Sequence, residues 1–165
     1  MVACSLKGDE NMGVIDQKLN DLGVILPQAV GPVANYVPFV LSGKLLFVAG
    51  QIPLVGGKPL ALGQVGGGLS LEQAAACARQ CAINLIVQIK VACDGDLDNV
   101  RRIVKLVCFV SAVPQFVDIP KVANGASDFM VQVFGDKGRH ARSSVGCSSL
   151  PLDVPVEVEA IVELA

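Results

Sequence analysis

The sequence holds no tryptophan, one tyrosine, one histidine and few charges: Asp, Glu, Lys and Arg make up 17% of its 165 residues. Each scarcity closes a class of function. One tyrosine and six phenylalanines are a poor platform for stacking the bases of a single strand. The 13 Lys and Arg are outnumbered by 15 Asp and Glu, and their local pairs, such as Arg101-Arg102, are too small for a phosphate-backbone footprint. A nucleic-acid partner is therefore not expected. None of the six cysteines (4, 77, 81, 93, 108 and 147) forms a C-x-x-C pair, and His140 has no cysteine at zinc-binding spacing, so no metal is expected. Cys77 and Cys81 stand four apart in an alanine-rich run and read as small apolar residues on one helix face; all six read as reduced thiols. No apolar run reaches the ~20 residues of a membrane span. With no secretory signal evident, the cytoplasm is the expected location. G-x-S-x-G, the Walker loop and a G-x-G-x-x-G following a strand are also missing.

What the chain has in excess is apolar surface. Apolar residues make up 52% and the mean hydropathy is +0.57. The length suits one domain. A domain this apolar should carry more hydrophobic surface than its own core can bury, and self-association is the ordinary remedy.

Residues 1–12 (MVACSLKGDENM) match nothing around them and read as a loose tail ahead of a single domain over 13–165. A short helix is predicted at about 14–22, closed by Gly23. Tyr36 to Leu41 and Lys44 to Gln51 read as strands joined by a Ser42-Gly43 turn. The stretch after Pro53 is turn-rich, with room for one short strand. Ser70 opens a long helix reaching Cys93, with Gln73 completing a capping box. Ala74, Cys77, Ala78, Cys81, Leu85 and Ile89 form its apolar stripe. Val100 to Ala112 is β-branched and reads as a largely buried strand. A second helix is predicted over Pro120 to Phe134, and two last strands over Ala141 to Ser149 and Pro155 to Leu164. Val156, Val158, Ala160 and Val162 share one face of the final strand. The order ββ(β)αβαββ predicts an α+β domain of two layers: a mixed sheet with two helices on one face. The other face must meet partner subunits or close into a barrel.

Few residues are equipped for chemistry. The Gly63–Gly68 stretch precedes a helix but lacks the Lys and Ser/Thr of a phosphate loop, and reads as a flexible loop. His140 has the chemistry of a general base, yet its charged turn (DKGRH) reads as solvated surface. Arg142 stands inside a strand and shares a face with Ser144, Gly146 and Ser148. A guanidinium over small side chains leaves a notch suited to a carboxylate held by two parallel hydrogen bonds. Glu157 lies on the following strand, within reach if the two strands form a hairpin. The alternative is a structural Arg142–Glu157 pair across adjacent strands.

Several segments together resemble the YjgF/RidA family: Asn35-Tyr36-Val37, Leu46 through Pro53 (LFVAGQIP), the Asn124 region, Ala141 through Gly146 (ARSSVG), and Leu150-Pro151 through Val156 to Ala160 (VEVEA). GRHARSSVG and ANYVP are similar to a longer-chain branch with an extra N-terminal helix. The resemblance covers about residues 12–165. It implies a chorismate-mutase-like fold, a barrel-like homotrimer with sheets lining its centre, and clefts at the subunit boundaries. It further implies deamination of 2-imino or enamine acids to 2-oxo acids and ammonia, without cofactor. By position, Arg142 would hold the substrate carboxylate and Glu157 would activate water. Tyr36 would lie against the ligand and Asn124 would support the cleft. Two positions depart from the pattern: Ala49 replaces a serine and Ser144 a cysteine. The competing expectations are a non-catalytic binder of 2-oxo acids using the same cleft and, last, an RNA-acting translation inhibitor.

Overall fold

The computed structural model describes residues 12–29 and 35–165; of the tail expected at 1–12, residues 1–11 lie outside the described residues. Helix α1 (Val14–Asp21) buries Ile15 and Leu19, one turn apart. Its N-cap, Gly13, has no side chain to offer the first free N–H groups. Asp98, far along the chain, supplies the cap instead, accepting from Val14 N at 2.8 Å and Ile15 N at 2.9 Å. Lys90 ties the same helix down through Asp16 at 2.6 Å. This helix therefore forms against the rest of the fold, since eight residues are too few to be stable alone.

Strands β1 (Phe39–Ser42) and β2 (Leu45–Gln51) form the expected hairpin, with Ser42 opposite Leu45 and Gly43-Lys44 as its two-residue turn. The first strand starts later than predicted: Tyr36 is exposed and precedes it. The pre-proline geometry imposed by Pro38 accounts for an extended lead-in that pairs with nothing regular. After Pro53 come two short strands, β3 (Leu54–Val55) and β4 (Lys58–Pro59), which pair with each other rather than with the main sheet.

Helix α2 (Leu71–Ala92) has the predicted capping box, with Gln73 N donating to Ser70 Oγ and Ser70 N donating to Gln73 Oε1. Its predicted stripe is fully buried. Strand β5 (Val100–Ser111), helix α3 (Ile119–Phe134), strand β6 (Ala141–Cys147) and strand β7 (Val156–Leu164) follow. The two long helices touch through bare backbone: a Cβ at Gly125 on α3 would collide with the Ala75 carbonyl of α2. Only glycine permits that approach.

The main sheet has the order β1-β2-β7-β5-β6, parallel between β5 and β6 and antiparallel elsewhere. Leu46, Val48, Val158, Ala160, Val162, Leu106 and Cys108 face the helices and are buried. The fold is thus the predicted α+β type, a mixed sheet with helices on one face, and α1 joins α2 and α3 as the third. Two expectations fail. β6 and β7 are not neighbours, because β5 lies between them. β6 pairs parallel to β5 after a helical crossover, while β7 enters the sheet centre, where its alternating valines find cover. The glycine-rich stretch is not an unattached loop: Gly63 N donates to Asp153 O, Val65 N to Ser111 O, and Val113 N to Val65 O. Val65 itself is buried.

The second face of the sheet has no covering layer among the described residues. Val40, Phe47 and Ile161 form one row across it, which runs on into Lys105 and Ala141; Val107 lies in the next row beside Glu159, and Phe109 and Val145 in the one after, beside Glu157. Phe47 is 43% exposed, Val145 46% and Val40 53%.

Candidate functional site

Five of the six residues singled out in the sequence fall into two groups on opposite faces of the sheet; the sixth, Tyr36, is exposed ahead of β1. The first group is at the edge strand. Arg142 registers with Leu106 and Ser144 with Cys108, so both point to the helix side. There α3 meets them. Arg142 Nη1 donates to Asn124 Oδ1 at 2.9 Å and to Ser127 Oγ at 3.0 Å. Asn124 and Ser127 are three apart on α3 and so share a helix face. Among the described residues, Nε and Nη2 of Arg142 make no hydrogen bond. One edge of the guanidinium is held by protein and the other is open.

Sequence reasoning missed two members of this group. Ser127 drew no attention, and His140 was expected in a solvated turn. His140 is half-buried instead: its Nδ1 sits 2.6 Å from Gly138 O and its Nε2 2.9 Å from Ser127 Oγ. A carbonyl oxygen only accepts, so Nδ1 carries the proton and Nε2 accepts from the Ser127 hydroxyl. Burial holds the imidazole below its ordinary value; the Gly138 hydrogen bond opposes this and the Arg142 charge adds to it. The legible signal was spacing: His140 and Arg142 lie two apart on one strand approach, and Asn124 and Ser127 one helical turn apart.

The second group is on the uncovered face. Glu157 pairs with Phe109, one residue out of phase with the buried Val156 and Val158. Its carboxylate lies over Gly50, where an added Cβ would land on Glu157 Oε1. Glycine at 50 therefore makes room for the carboxylate. The β2–β7 ladder breaks between Val48 and Gln51, so Ala49 and Gly50 bulge out of register beside Glu157. Ala49 N donates to Pro38 O at 2.9 Å, which holds the residue just ahead of β1 at this corner. Glu157 accepts no hydrogen bond among the described residues. Burial pushes its carboxyl above the ordinary range, and Glu159 on the same face pushes it further.

The structure thus joins Arg142 and Asn124, with Ser144 on the same face, and separately sets Ala49 and Gly50 beside Glu157; among the described residues, Tyr36 is not brought into contact with either group. The expected Arg142–Glu157 proximity within one chain does not occur, either as a site or as an ion pair, because a strand separates them and they face opposite ways.

Cavities of about 350, 300 and 270 Å³ lie against the segment after α1 and helix α2, away from both groups. Among the described residues, no cluster of three or more His, Cys, Asp or Glu could hold a metal ion. Cys77, Cys81, Cys93 and Cys108 are buried and Cys147 half-buried, all unpaired; Cys4 lies outside the described residues. Burial pushes the Cys77 and Cys108 thiols up to about 11, leaving them un-ionised and unreactive at neutral pH. No helix among the described residues is long and apolar enough to cross a membrane.

Comparison with known proteins bears on the same region. The family described as "YjgF/chorismate_mutase-like, putative endoribonuclease" matches residues 16–164. Protein TCP17 of Trypanosoma cruzi is 46% identical over 155 residues, spanning 92% of this chain and 95% of its own. The crystal structure of protein Atu1372 from Agrobacterium tumefaciens, of unknown function, superposes with a TM-score of 0.87 at 47% identity, over 92% of this chain and 93% of that one. A structure from Shewanella oneidensis described as a "putative endoribonuclease" gives 0.87 at 31% identity, over 91% and 99%.

Proposed function

The chain belongs to the YjgF/chorismate mutase-like family, and from that premise we propose that it binds a small 2-imino or enamine acid and hydrolyses it to a 2-oxo acid and ammonia. The observation that carries this reading is Arg142. Both hydrogens of its Nη1 are taken by Asn124 and Ser127, and its remaining edge is matched to a carboxylate held by two parallel bonds.

The opposite placement of Glu157 supports a cleft between subunits. An Arg142 edge from one subunit would meet the Ala49 and Glu157 corner of another in a homotrimer. The uncovered apolar face of the sheet supports that assembly.

In the proposed reaction, Glu157 takes a proton from water as the water oxygen bonds to the imine carbon. The C=N electron pair moves to nitrogen. Glu157 returns that proton to the nitrogen, giving the carbinolamine. It then takes the proton of the new hydroxyl and passes it to the nitrogen as the C=O bond forms, the carbon–nitrogen bond breaks, and ammonia leaves with the 2-oxo acid. A carboxylate with a raised pKa is a stronger base than an ordinary one and suits this cycle near neutral pH. Positioning of substrate and water supplies most of the acceleration such a labile bond needs. These roles call for no cofactor.

The test is turnover. An amino-acid oxidase or dehydratase generates the imino acid in situ, and the rate of 2-oxo acid release with and without this protein is measured. An unchanged rate, with 2-oxo acids still bound, would select the second reading, a non-catalytic 2-oxo acid binder. Ala49 and Ser144 favour that reading, since they offer neither the hydroxyl nor the thiol that the family resemblance implies at these positions. An RNA-acting role ranks last, because the chain has no basic patch.

A further inference from the structure

Arg142 is the last member of a directional hydrogen-bond chain that begins at the backbone of Gly138. The Gly138 carbonyl fixes the proton of the ring on Nδ1. The neutral ring then has one acceptor, Nε2, and the single Ser127 hydroxyl proton goes to it. Ser127 Oγ is left with lone pairs only, and Arg142 Nη1 donates to them. Without His140, the Ser127 hydroxyl is free to turn its proton toward the guanidinium, replacing an attraction by a repulsion.

We propose that Ser127 and His140 are positioning residues that lock Arg142 with Nη1 turned inward and its Nε/Nη2 edge presented to a ligand carboxylate. The proposal rests on the carboxylate-binding reading of Arg142 and adds to it two residues outside direct ligand contact. The charged groups on this side are Asp136, Lys137 and Arg139 in the preceding turn, Asp128 beside Ser127 on α3, and Arg142; Lys105 on β5, in register with Ala141, faces the other side of the sheet. Arg139 is held by Asp136 at 3.2 Å and Lys137 Nζ by Val100 O at 2.9 Å. Arg142 is the charge that acts on the ring. Protonating the ring turns Nε2 into a donor that competes with Arg142 for the Ser127 lone pairs and sets a second cation beside the first. The clamp is therefore a property of the neutral ring.

His140 is the single histidine of the chain, so its ring nitrogens can be read without assignment ambiguity. The experiment combines ¹⁵N NMR of that ring with calorimetric binding of 2-oxobutanoate to the intact assembly, for the unaltered protein and for Ser127→Ala, Ser127→Thr and Arg142→Ala. The expected results are an Nδ1–H ring whose Nε2 signal moves on Ser127→Ala but not on Ser127→Thr, and a His140 titration midpoint that rises on Arg142→Ala. Affinity should fall roughly tenfold in Ser127→Ala, the effect of one hydrogen bond to a charged group, and recover in Ser127→Thr. An Nε2–H ring, or a ring indifferent to Ser127→Ala, overturns the relay. A ring that responds while Ser127→Ala binds with unaltered affinity overturns the positioning role and leaves the carboxylate reading standing. If 2-oxobutanoate does not bind the unaltered protein although the ring behaves as expected, the carboxylate reading falls and the positioning role falls with it.

Discussion

The two groups of polar residues differ in how the fold treats them. On the helix side, Arg142 is anchored through Nη1 to Asn124 and Ser127, and Ser127 is in turn anchored through His140 to the backbone. On the uncovered face, Glu157 has no hydrogen-bond donor among the described residues and is raised by burial and by Glu159. The first is a charge made rigid and the second a charge made uncomfortable. Rigid donors suit the binding of an anion; a destabilised carboxylate suits the taking up of a proton. Within one chain the sheet keeps the two apart, so the difference also marks which half each subunit would contribute.

The sharpest way to break this comparison is to remove the base and keep its shape. Glu157→Gln should lower imine turnover by about 10²-fold or more while 2-oxo acid binding persists. Equal loss of both would mean that Glu157 also holds the ligand.

Arg142→Ala should do the reverse. Losing a charge-assisted, two-point contact costs about 1.5–3 kcal/mol, roughly 10–150-fold in affinity. Melting temperature and oligomeric state should change little. Arg142→Lys should not restore binding, because a point charge cannot reproduce the planar fork. Unfolding in place of a selective loss of affinity would make Arg142 a structural strut.

Mixing the two inactive proteins sharpens the comparison further. If each cleft takes Arg142 from one subunit and Glu157 from another, subunits of Arg142→Ala and Glu157→Gln refolded together in equal amounts should regain about a quarter of the unaltered activity. The reasoning is that about half of the arginine positions and half of the glutamate positions remain intact in each cleft. No recovery would place both residues in one subunit's site.

The smallest effect is on stability, and the two groups should titrate with opposite sign. His140 lies below its ordinary 6.5 in the folded protein, so the unfolded chain binds more protons just below that value. Its contribution is complete above 6.5 and is lost as pH falls through the lowered folded value. Glu157 lies above its ordinary 4.5, so its contribution is complete below 4.5 and is lost as pH rises through the raised folded value. Urea midpoints between pH 4 and 8 should therefore show a rising limb, set first by burial of the ring, that becomes somewhat shallower in Arg142→Ala, and a falling limb that disappears in Glu157→Gln.

What the sequence determined by itself is whatever depends on near neighbours. The Ser70–Gln73 capping box, the buried α2 stripe and the valines of β7 follow from three-, four- and two-residue spacings that local geometry imposes. Arg142 stood out for the same reason: its strand neighbours two and four residues on are small. Tertiary structure alone decided the rest. Inserting β5 between β6 and β7 moved Glu157 to the face opposite Arg142, and no local pattern distinguishes a hairpin from a parallel edge strand. The role of His140 was hidden in the same way. Its turn is polar in sequence, but α3 packs over it and supplies Ser127 from 13 residues upstream. Asp98 caps α1 across 84 residues. Such contacts depend on the packing of distant elements, which is selected by burial of the whole core, so the residues that complete them carry no mark of their partners.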